Sequence, residues 1–152
     1  MKRVCALVVF AMICMAFSVF AADVTYTGQI KGIFDAKCAS CHGSGTLDYE
    51  EWKKNSKELK EKGIGMKMDT FRSLTAFVVW PNTGALMRRL DNGENTKDKK
   101  PGNMYQYLGD TEEEREKNLT IFKSWVPVWK LARIDGLTKE EILTQSDIKN
   151  RY

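Results

Sequence analysis

The sequence predicts an all-α protein, because helical spacing and helix-capping patterns recur along it while strand signals are few. Leu119, Phe122 and Trp125 recur at a spacing typical of one helical face. Thr111 stands three residues before Glu114, which is the pattern of a capping box at a helix N-terminus. Alternating apolar and polar runs, the usual sign of a half-buried strand, are scarce. We therefore expect helices joined by turns.

The predicted helices in the first half of the chain have local start and stop signals. The first helix is predicted over residues 28–37, with Thr27 as its N-cap. A second helix is predicted after Asp48, which has Glu51 at capping-box spacing, and it should end at Gly63. Its surface is rich in lysine and glutamate and is interpreted as a solvated face.

The second half of the chain predicts two short helices and one long one. A helix should begin after Asp69 and end before Trp80-Pro81, because the residue preceding a proline disfavours the α region. Another should start at Asn82 or Thr83, followed by a polar and mobile loop over residues 94–100. The long helix follows Thr111, and residues 146–152 are expected to be loosely held.

Residues 1–21 are predicted to be a cleaved secretory signal. A positively charged start precedes an apolar run to Phe20, and a cleavage site follows at Ala21. An uncleaved membrane anchor is the alternative, because the run is near the lower limit for a spanning helix. Cleavage would leave one periplasmic domain, residues 22–152, without stable membrane insertion.

Net charge says little about partners. Losing Lys2 and Arg3 with the signal lowers the formal net charge from +4 to +2. A basic stripe with interleaved aromatic residues, which would indicate nucleic-acid binding, is missing from the sequence. We therefore expect no nucleic-acid partner.

The sequence Cys38-Ala39-Ser40-Cys41-His42 is the C-x-x-C-H pattern of haem c attachment. Two thiols at this spacing can add to the vinyl groups on one porphyrin edge, and the next imidazole can bind the iron axially. His42 is the only histidine in the chain. A zinc site would need about four ligands, and a redox CxxC would need a βαβ context. The motif predicts one covalent haem c with His42 as the proximal ligand.

A methionine is the natural second axial ligand once His42 is used, because its thioether suits ferrous iron. Met104 follows a Pro101-Gly102 turn that can present it, so we interpret it as the distal ligand. Met66 and Met68 also follow a glycine-containing turn and remain alternatives. Met87 lies in an apolar helical stripe and is interpreted as core.

Five more residues are candidates for contacts with the haem or its propionates. Tryptophan and tyrosine can donate through N–H and O–H groups, and arginine can pair with a propionate. Ordinary packing or solvent exposure is the alternative for each. These candidates are Trp80, Tyr105, Tyr107, Arg88 and Arg89. Three lysines, Lys97, Lys99 and Lys100, come just before residues 101–104, which we call the distal loop. They can steer an acidic redox partner or simply be solvated.

Over most of residues 24–129 the chain resembles the monohaem class I c-type cytochromes. The matching positions belong to the attachment motif, the distal loop and the contact between the first and last helices: Cys38, Cys41, His42, Pro101, Gly102, Met104, Phe34, Leu119 and Phe122. The resemblance implies several helices wrapped around one covalent haem, with an inserted helix after the attachment motif, within residues 47–68.

One position departs from that family, which usually has a small residue where this chain has Ile30. Gly32 is expected to permit the close helix approach instead. The run at residues 101–109, together with that at 122–126, is similar to periplasmic monohaem cytochromes of metal-reducing bacteria.

The function implied is one-electron transfer by a monomeric electron carrier that is not an enzyme. Its haem would have His/Met ligation, and its partners would be other redox proteins, such as cytochromes or respiratory enzymes, in transient complexes. Two alternatives stay open: a haem-based sensor or peroxidase-like enzyme with a labile distal ligand, and a fixed subunit of a respiratory complex. The absence of a second histidine for acid–base work counts against a peroxidase.

Overall fold

The computed structural model describes residues 23–152, and regular secondary structure in that range is entirely helical, which confirms the all-α prediction. The predicted signal lies outside the described residues. No helix within them has the length and apolar character needed to cross a bilayer. The α-helices of residues 23–152 are α1 Lys31–Lys37, α2 Ala39–His42, α3 Tyr49–Lys54, α4 Ser56–Glu61, α5 Phe71–Thr75, α6 Ala85–Leu90, α7 Glu112–Trp125 and α8 Gln145–Ile148.

The first helical segment begins earlier than predicted. Thr25, rather than Thr27, is the N-cap, and its side-chain oxygen accepts a hydrogen bond from the Gly28 N–H at 3.0 Å. A π-helical turn, Tyr26–Ile30, follows and leads into α1. Thr27 instead donates from both its N–H and its hydroxyl to the backbone oxygen of Tyr152, each at 2.8 Å. A tertiary contact therefore uses the hydroxyl that was expected to cap the helix.

The π-helical turn meets α7, the long helix that ends at Trp125. Ile30 is fully buried there, and the Tyr26 ring lies 6.4 Å from that of Trp125. Gly32 is exposed, and a Cβ added to it would meet no heavy atom within 4 Å. The expectation that Gly32 permits the close approach is therefore wrong. The shared core also contains the matched residues Phe34, Leu119 and Phe122.

The inserted segment forms two short helices, α3 and α4, separated at Asn55, rather than one continuous helix. Gly63 ends the segment as predicted, with a φ of 70°. Its N–H donates to Lys60, and the Ile64 N–H donates to Leu59 at 2.8 Å, which together form a Schellman motif. The Trp52 indole N–H donates to the Ile64 carbonyl at 2.8 Å. These bonds fold the insertion back toward the attachment motif.

Helix α5 begins near its predicted start but ends at Thr75, well before the predicted end at Trp80-Pro81, because residues 76–80 form turns. Helix α6 lies near its predicted position. Thr70 and Ser73 form the capping box that starts α5. Helix α6 begins at Ala85, slightly later than predicted, and ends before Asp91. The following loop, predicted to be mobile, carries bonds of its own, including an ion pair at 3.1 Å between Glu94 and Lys123 of α7.

The C-terminal residues pack against the rest of the domain, so the prediction that they are loosely held is wrong. Ile148 is fully buried. The Tyr152 ring lies 6.0 Å from that of Tyr26 and 5.2 Å from that of Phe71. The Trp125 indole N–H donates to the Arg151 carbonyl at 3.0 Å. Aromatic partners far away in the chain hold this segment.

Candidate functional site

The attachment motif forms a single helical turn directly after α1. The Cys41 and His42 N–H groups both donate to the Cys38 carbonyl, at 3.2 and 2.9 Å. Residues three apart on a helix are neighbours on its surface, so the two thiols lie on one side of the turn. Cys38 is half-buried, whereas Cys41 is exposed. The spacing and the local fold together suit two thioether bonds to one porphyrin edge.

The environment of Cys38 disfavours the redox and zinc alternatives. Burial, with a smaller effect of the neighbouring Cys41, raises the pKa of the Cys38 thiol to about 11. Redox-active and metal-bound cysteines instead have lowered pKa values, because the thiolate is the reactive form. Among residues 23–152, His, Cys, Asp and Glu side chains also form no group of three or more able to hold a metal ion.

A backbone carbonyl orients the imidazole of His42. Nδ1 lies 2.7 Å from the carbonyl oxygen of Met66, and a carbonyl can only accept, so Nδ1 carries the proton and donates. The lone pair is then on Nε2, which is free to bind a metal. A hydrogen bond of this kind fixes the ring of a ligating histidine and raises its basicity. Sequence reasoning missed Met66 in this role, because nothing in a side chain marks a carbonyl as an acceptor.

Gly65 provides the space that the His42 ring occupies. A Cβ at Gly65 would lie 2.2 Å from Cε1 of His42 and 2.4 Å from Nδ1. Gly65 also donates its N–H to the Cys41 carbonyl at 2.8 Å, and the Met68 N–H donates to the His42 carbonyl at 2.9 Å. Residues 65–68 therefore run alongside the motif and hold its imidazole. This cradle and the single free ring nitrogen fit a haem c whose iron binds Nε2.

The same geometry bears on two of the methionine alternatives. A distal ligand must approach the iron from the face opposite to His42. Residues 65–68 are bonded to Nδ1 and to the backbone of His42, and a Cβ at Gly65 would also lie 2.8 Å from Nε2, so this segment packs on the His42 side. Met68 is also buried in the core. The choice between Met104, Met66 and Met68 as distal ligand stays a prediction.

The distal loop is anchored to the last turn of α6. The Met104 N–H donates to the Arg89 carbonyl at 2.9 Å, and the Gly102 N–H donates to the Asp91 carbonyl at 2.7 Å. A Cβ at Gly102 would lie 2.4 Å from the carbonyl oxygens of Arg88 and Arg89, so the close approach requires glycine. Met104 is half-buried and packs against the core, which also contains the fully buried Met87.

The aromatic candidates have different environments. Trp80 is 64% exposed and Tyr107 is 57% exposed. Tyr105 is buried, and its hydroxyl lies 2.5 Å from carboxylate oxygens of both Glu112 and Glu116. Burial and these two carboxylates raise the pKa of Tyr105. Tyr105 thus ties the distal loop to α7, and haem contacts by the three aromatic residues stay predictions.

The two arginine candidates have partners within the protein. Arg89 donates from Nη1 to the side-chain oxygen of Asn103 at 2.9 Å. Arg88 donates from Nη1 to the carbonyls of Leu131 and Ala132, at 3.0 and 2.8 Å. Both side chains therefore connect α6 to neighbouring segments, and their pairing with a propionate also stays a prediction.

The chain is similar to known proteins in both sequence and structure. The family model described as PccH cytochrome c matches residues 25–150. The solved structure of the monoheme cytochrome PccH from Geobacter sulfurreducens is similar to this chain, with 50% sequence identity and a TM-score of 0.75. The match covers 86% of this chain and 99% of that chain. None of the curated proteins matches the chain significantly.

Proposed function

The chain belongs to the PccH cytochrome c family, and from this premise we propose that it carries single electrons between periplasmic redox proteins on a His/Met-ligated haem. The predicted class of protein and its single covalent haem c are confirmed, and the family is one of haem-based electron carriers. The proposal adds the axial ligands, the compartment and the partners.

The observation that carries the proposal is the hydrogen bond between His42 Nδ1 and the Met66 carbonyl at 2.7 Å. Bound haem supplies the ferric/ferrous couple. The Met66 carbonyl and the Gly65 cradle keep the imidazole in one orientation in both oxidation states. Little rearrangement of the protein then accompanies the gain or loss of an electron, which suits a carrier rather than an enzyme that opens a coordination position.

Met104 is the distal ligand in this proposal. The support is its half-buried position, its hydrogen bond to the Arg89 carbonyl, and the crowded contact of Gly102 with α6. These contacts restrain the loop that bears the thioether. The alternatives Met66 and Met68 belong to the segment whose backbone is bonded to His42, and in this proposal that segment stays on the His42 side.

Export and weak association complete the proposal. The predicted signal at residues 1–21 fits a protein whose haem is attached outside the cytoplasmic membrane. Encounters with redox partners should be transient, with interfaces below about 1,200 Å² of buried surface. The lysines before the distal loop, Lys97, Lys99 and Lys100, are exposed and would favour an acidic partner.

Replacing methionines one at a time in the holoprotein tests the ligand assignment. Met104→Ala should abolish the sulfur-to-iron charge-transfer band of the ferric protein and the ligated methyl resonance of the ferrous protein. It should also lower the reduction potential, because the thioether is lost. Met66→Ala, Met68→Ala and Met87→Ala should keep both signals. Survival of both signals in Met104→Ala, with their loss in another variant, would show that the assignment is wrong.

The role as a carrier is tested on the unmodified holoprotein. Stopped-flow mixing with a reduced periplasmic cytochrome should show rapid one-electron exchange, and the ferric protein should resist added imidazole. Ready binding of imidazole, together with turnover of hydrogen peroxide, would instead support the sensor or peroxidase-like alternative.

A further inference from the structure

A buried carboxylate joins the distal loop to the C-terminal segment. Asp91 follows α6 and is fully buried. Its backbone carbonyl accepts the Gly102 N–H at 2.7 Å, and its side-chain Oδ2 accepts the Trp129 indole N–H at 3.1 Å. We propose that Asp91 and Trp129 are positioning residues for Met104, through which residues 129–132 hold the distal loop in its ligating position. This inference rests on the proposed function, in which Met104 is the distal ligand.

The acceptor positions of the Asp91 side chain are well occupied. Oδ1 accepts from the N–H groups of Gly93 and Asn95, at 2.9 and 3.3 Å. Oδ2 accepts from the Asn95 side-chain amide at 2.8 Å as well as from Trp129. Burial alone would raise the pKa of Asp91, but the hydrogen bonds outweigh it and hold the pKa below its ordinary value. The carboxylate is therefore charged at neutral pH, and each donor to it counts as a charge-assisted bond.

A second tie lies one turn earlier on α6. Arg88 donates to the carbonyls of Leu131 and Ala132, so the segment that holds Asp91 also holds Arg88. The approach is close, because a Cβ at Gly84 would lie 2.5 Å from the Ala132 oxygen. Residues 129–132 therefore contact the start and the end of α6.

The final turn of α6 also contacts the loop that contains Met104. The Arg89 carbonyl accepts the Met104 N–H at 2.9 Å, and Gly102 is in close contact with the Arg88 and Arg89 carbonyls. The connection from Trp129 to Met104 is thus short: one hydrogen bond to Asp91, the backbone from Asp91 back to Arg89, and one hydrogen bond from Met104 to the Arg89 carbonyl. If residues 129–132 loosen, the platform against which the Met104 backbone rests loosens too.

If Asp91 and Trp129 only stabilised the fold, a different result would be expected. Removing the Trp129 donor would then lower the free energy of unfolding but leave iron ligation unchanged in the folded protein. A positioning role instead predicts that, in the folded protein, the Met104 thioether leaves the iron more often when the donor is removed. Loss of one hydrogen bond to a charged group should make this dissociation about tenfold more frequent.

The test uses the ferric holoprotein and imidazole as the probe. Trp129→Phe removes only the indole N–H and part of a half-buried ring, and Asp91→Asn removes the charge. Both should bind imidazole with an apparent affinity about tenfold higher than the unmodified protein. Both should also weaken the sulfur-to-iron band at elevated temperature. Trp125→Phe is the matched control, because its indole N–H donates to the Arg151 carbonyl, outside this connection.

The control should lower stability to guanidinium without changing imidazole affinity. The inference is overturned if Trp129→Phe binds imidazole as the unmodified protein does, or if Trp125→Phe raises the affinity equally. Trp129→Phe decides the matter if Asp91→Asn fails to fold. Met104→Ala in the same assay separates the two proposals: if it keeps the sulfur-to-iron band, the ligand assignment itself fails. If it loses that band while Trp129→Phe is unaffected, only the positioning role fails.

Discussion

Gly65→Ala should displace the imidazole of His42. The added Cβ would lie 2.2 Å from Cε1, 2.4 Å from Nδ1 and 2.8 Å from Nε2 of the ring. Non-bonded carbon atoms are in favourable contact at about 3.5–4.0 Å, so the ring or the backbone must move by roughly 1.3 Å or more. The contact is with a flat ring rather than with the end of a flexible chain, which leaves little freedom to adjust.

The magnitude follows from what restrains both sides of the contact. The ring is bonded to the Met66 carbonyl at 2.7 Å, and the Gly65 backbone is bonded to the Cys41 carbonyl at 2.8 Å. Overpacking typically costs about 1–3 kcal/mol, and a lost hydrogen bond about 0.5–1.5 kcal/mol. We therefore expect Gly65→Ala to lower the free energy of unfolding by about 2–4 kcal/mol.

Guanidinium unfolding of the ferric holoprotein measures this change, and the reduction potential reports on the ligand. The potential should shift, because the hydrogen bond at Nδ1 tunes the basicity of Nε2. Gly32→Ala is the matched control: Gly32 is an exposed residue of α1 with open space around its Cβ position. Alanine there should stabilise the protein by about 0.5–1 kcal/mol. Unfolding and potential unchanged in Gly65→Ala would refute the reasoning.

Three further changes test other contacts. Ile148→Ala should lower the free energy of unfolding by about 2–4 kcal/mol, because the side chain is fully buried, while exposed Lys149→Ala should change it by less than about 0.5 kcal/mol in the same urea titration. Trp52→Phe should cost about 1 kcal/mol through loss of its indole hydrogen bond, and an unchanged urea midpoint would count against that bond. The hydrogen bond from Lys37 lowers the pKa of Glu114 in the folded protein. The pair therefore stabilises the fold fully above the unfolded pKa of about 4.3, and this stabilisation is lost as the pH falls through the lower, folded pKa. Lys37→Met should therefore flatten the loss of stability on the acid side, and urea titrations from pH 7 to 3 that run parallel to those of the unmodified protein would contradict this.

Features with a local cause are predictable from the sequence. Helix α7 starts where its cap stands, because the Thr111 side-chain oxygen accepts the Glu114 N–H within one turn. Gly63 ends the insertion because a positive φ is needed there. The attachment motif needs only the spacing of Cys38, Cys41 and His42. These signals act over a few residues, so a linear reading can identify them.

Predictions failed where a residue suited to a local role instead makes a contact with a residue far away in the sequence, or where the contact itself lies elsewhere. Thr27 has the side chain of an N-cap, but Tyr152 takes its hydroxyl, and Thr25 caps the helix instead. Gly32 looked suited to a helix contact, but the π-helical turn moves that contact to Tyr26 and Ile30. A shift of less than one turn changes which face of a helix is buried, and local propensity does not reveal it.

The sequence by itself determined the helical class and the covalent haem c, because spacing and residue type are sufficient for each. Only the tertiary structure decided what holds them in place. The carbonyl that orients His42 is 24 residues away, and the donor to Asp91 is 38 residues away. A backbone carbonyl is the same at every position, and an indole N–H finds its acceptor only when the chain folds. The arrangement around His42 and Asp91 therefore follows from packing between segments that are remote in the sequence.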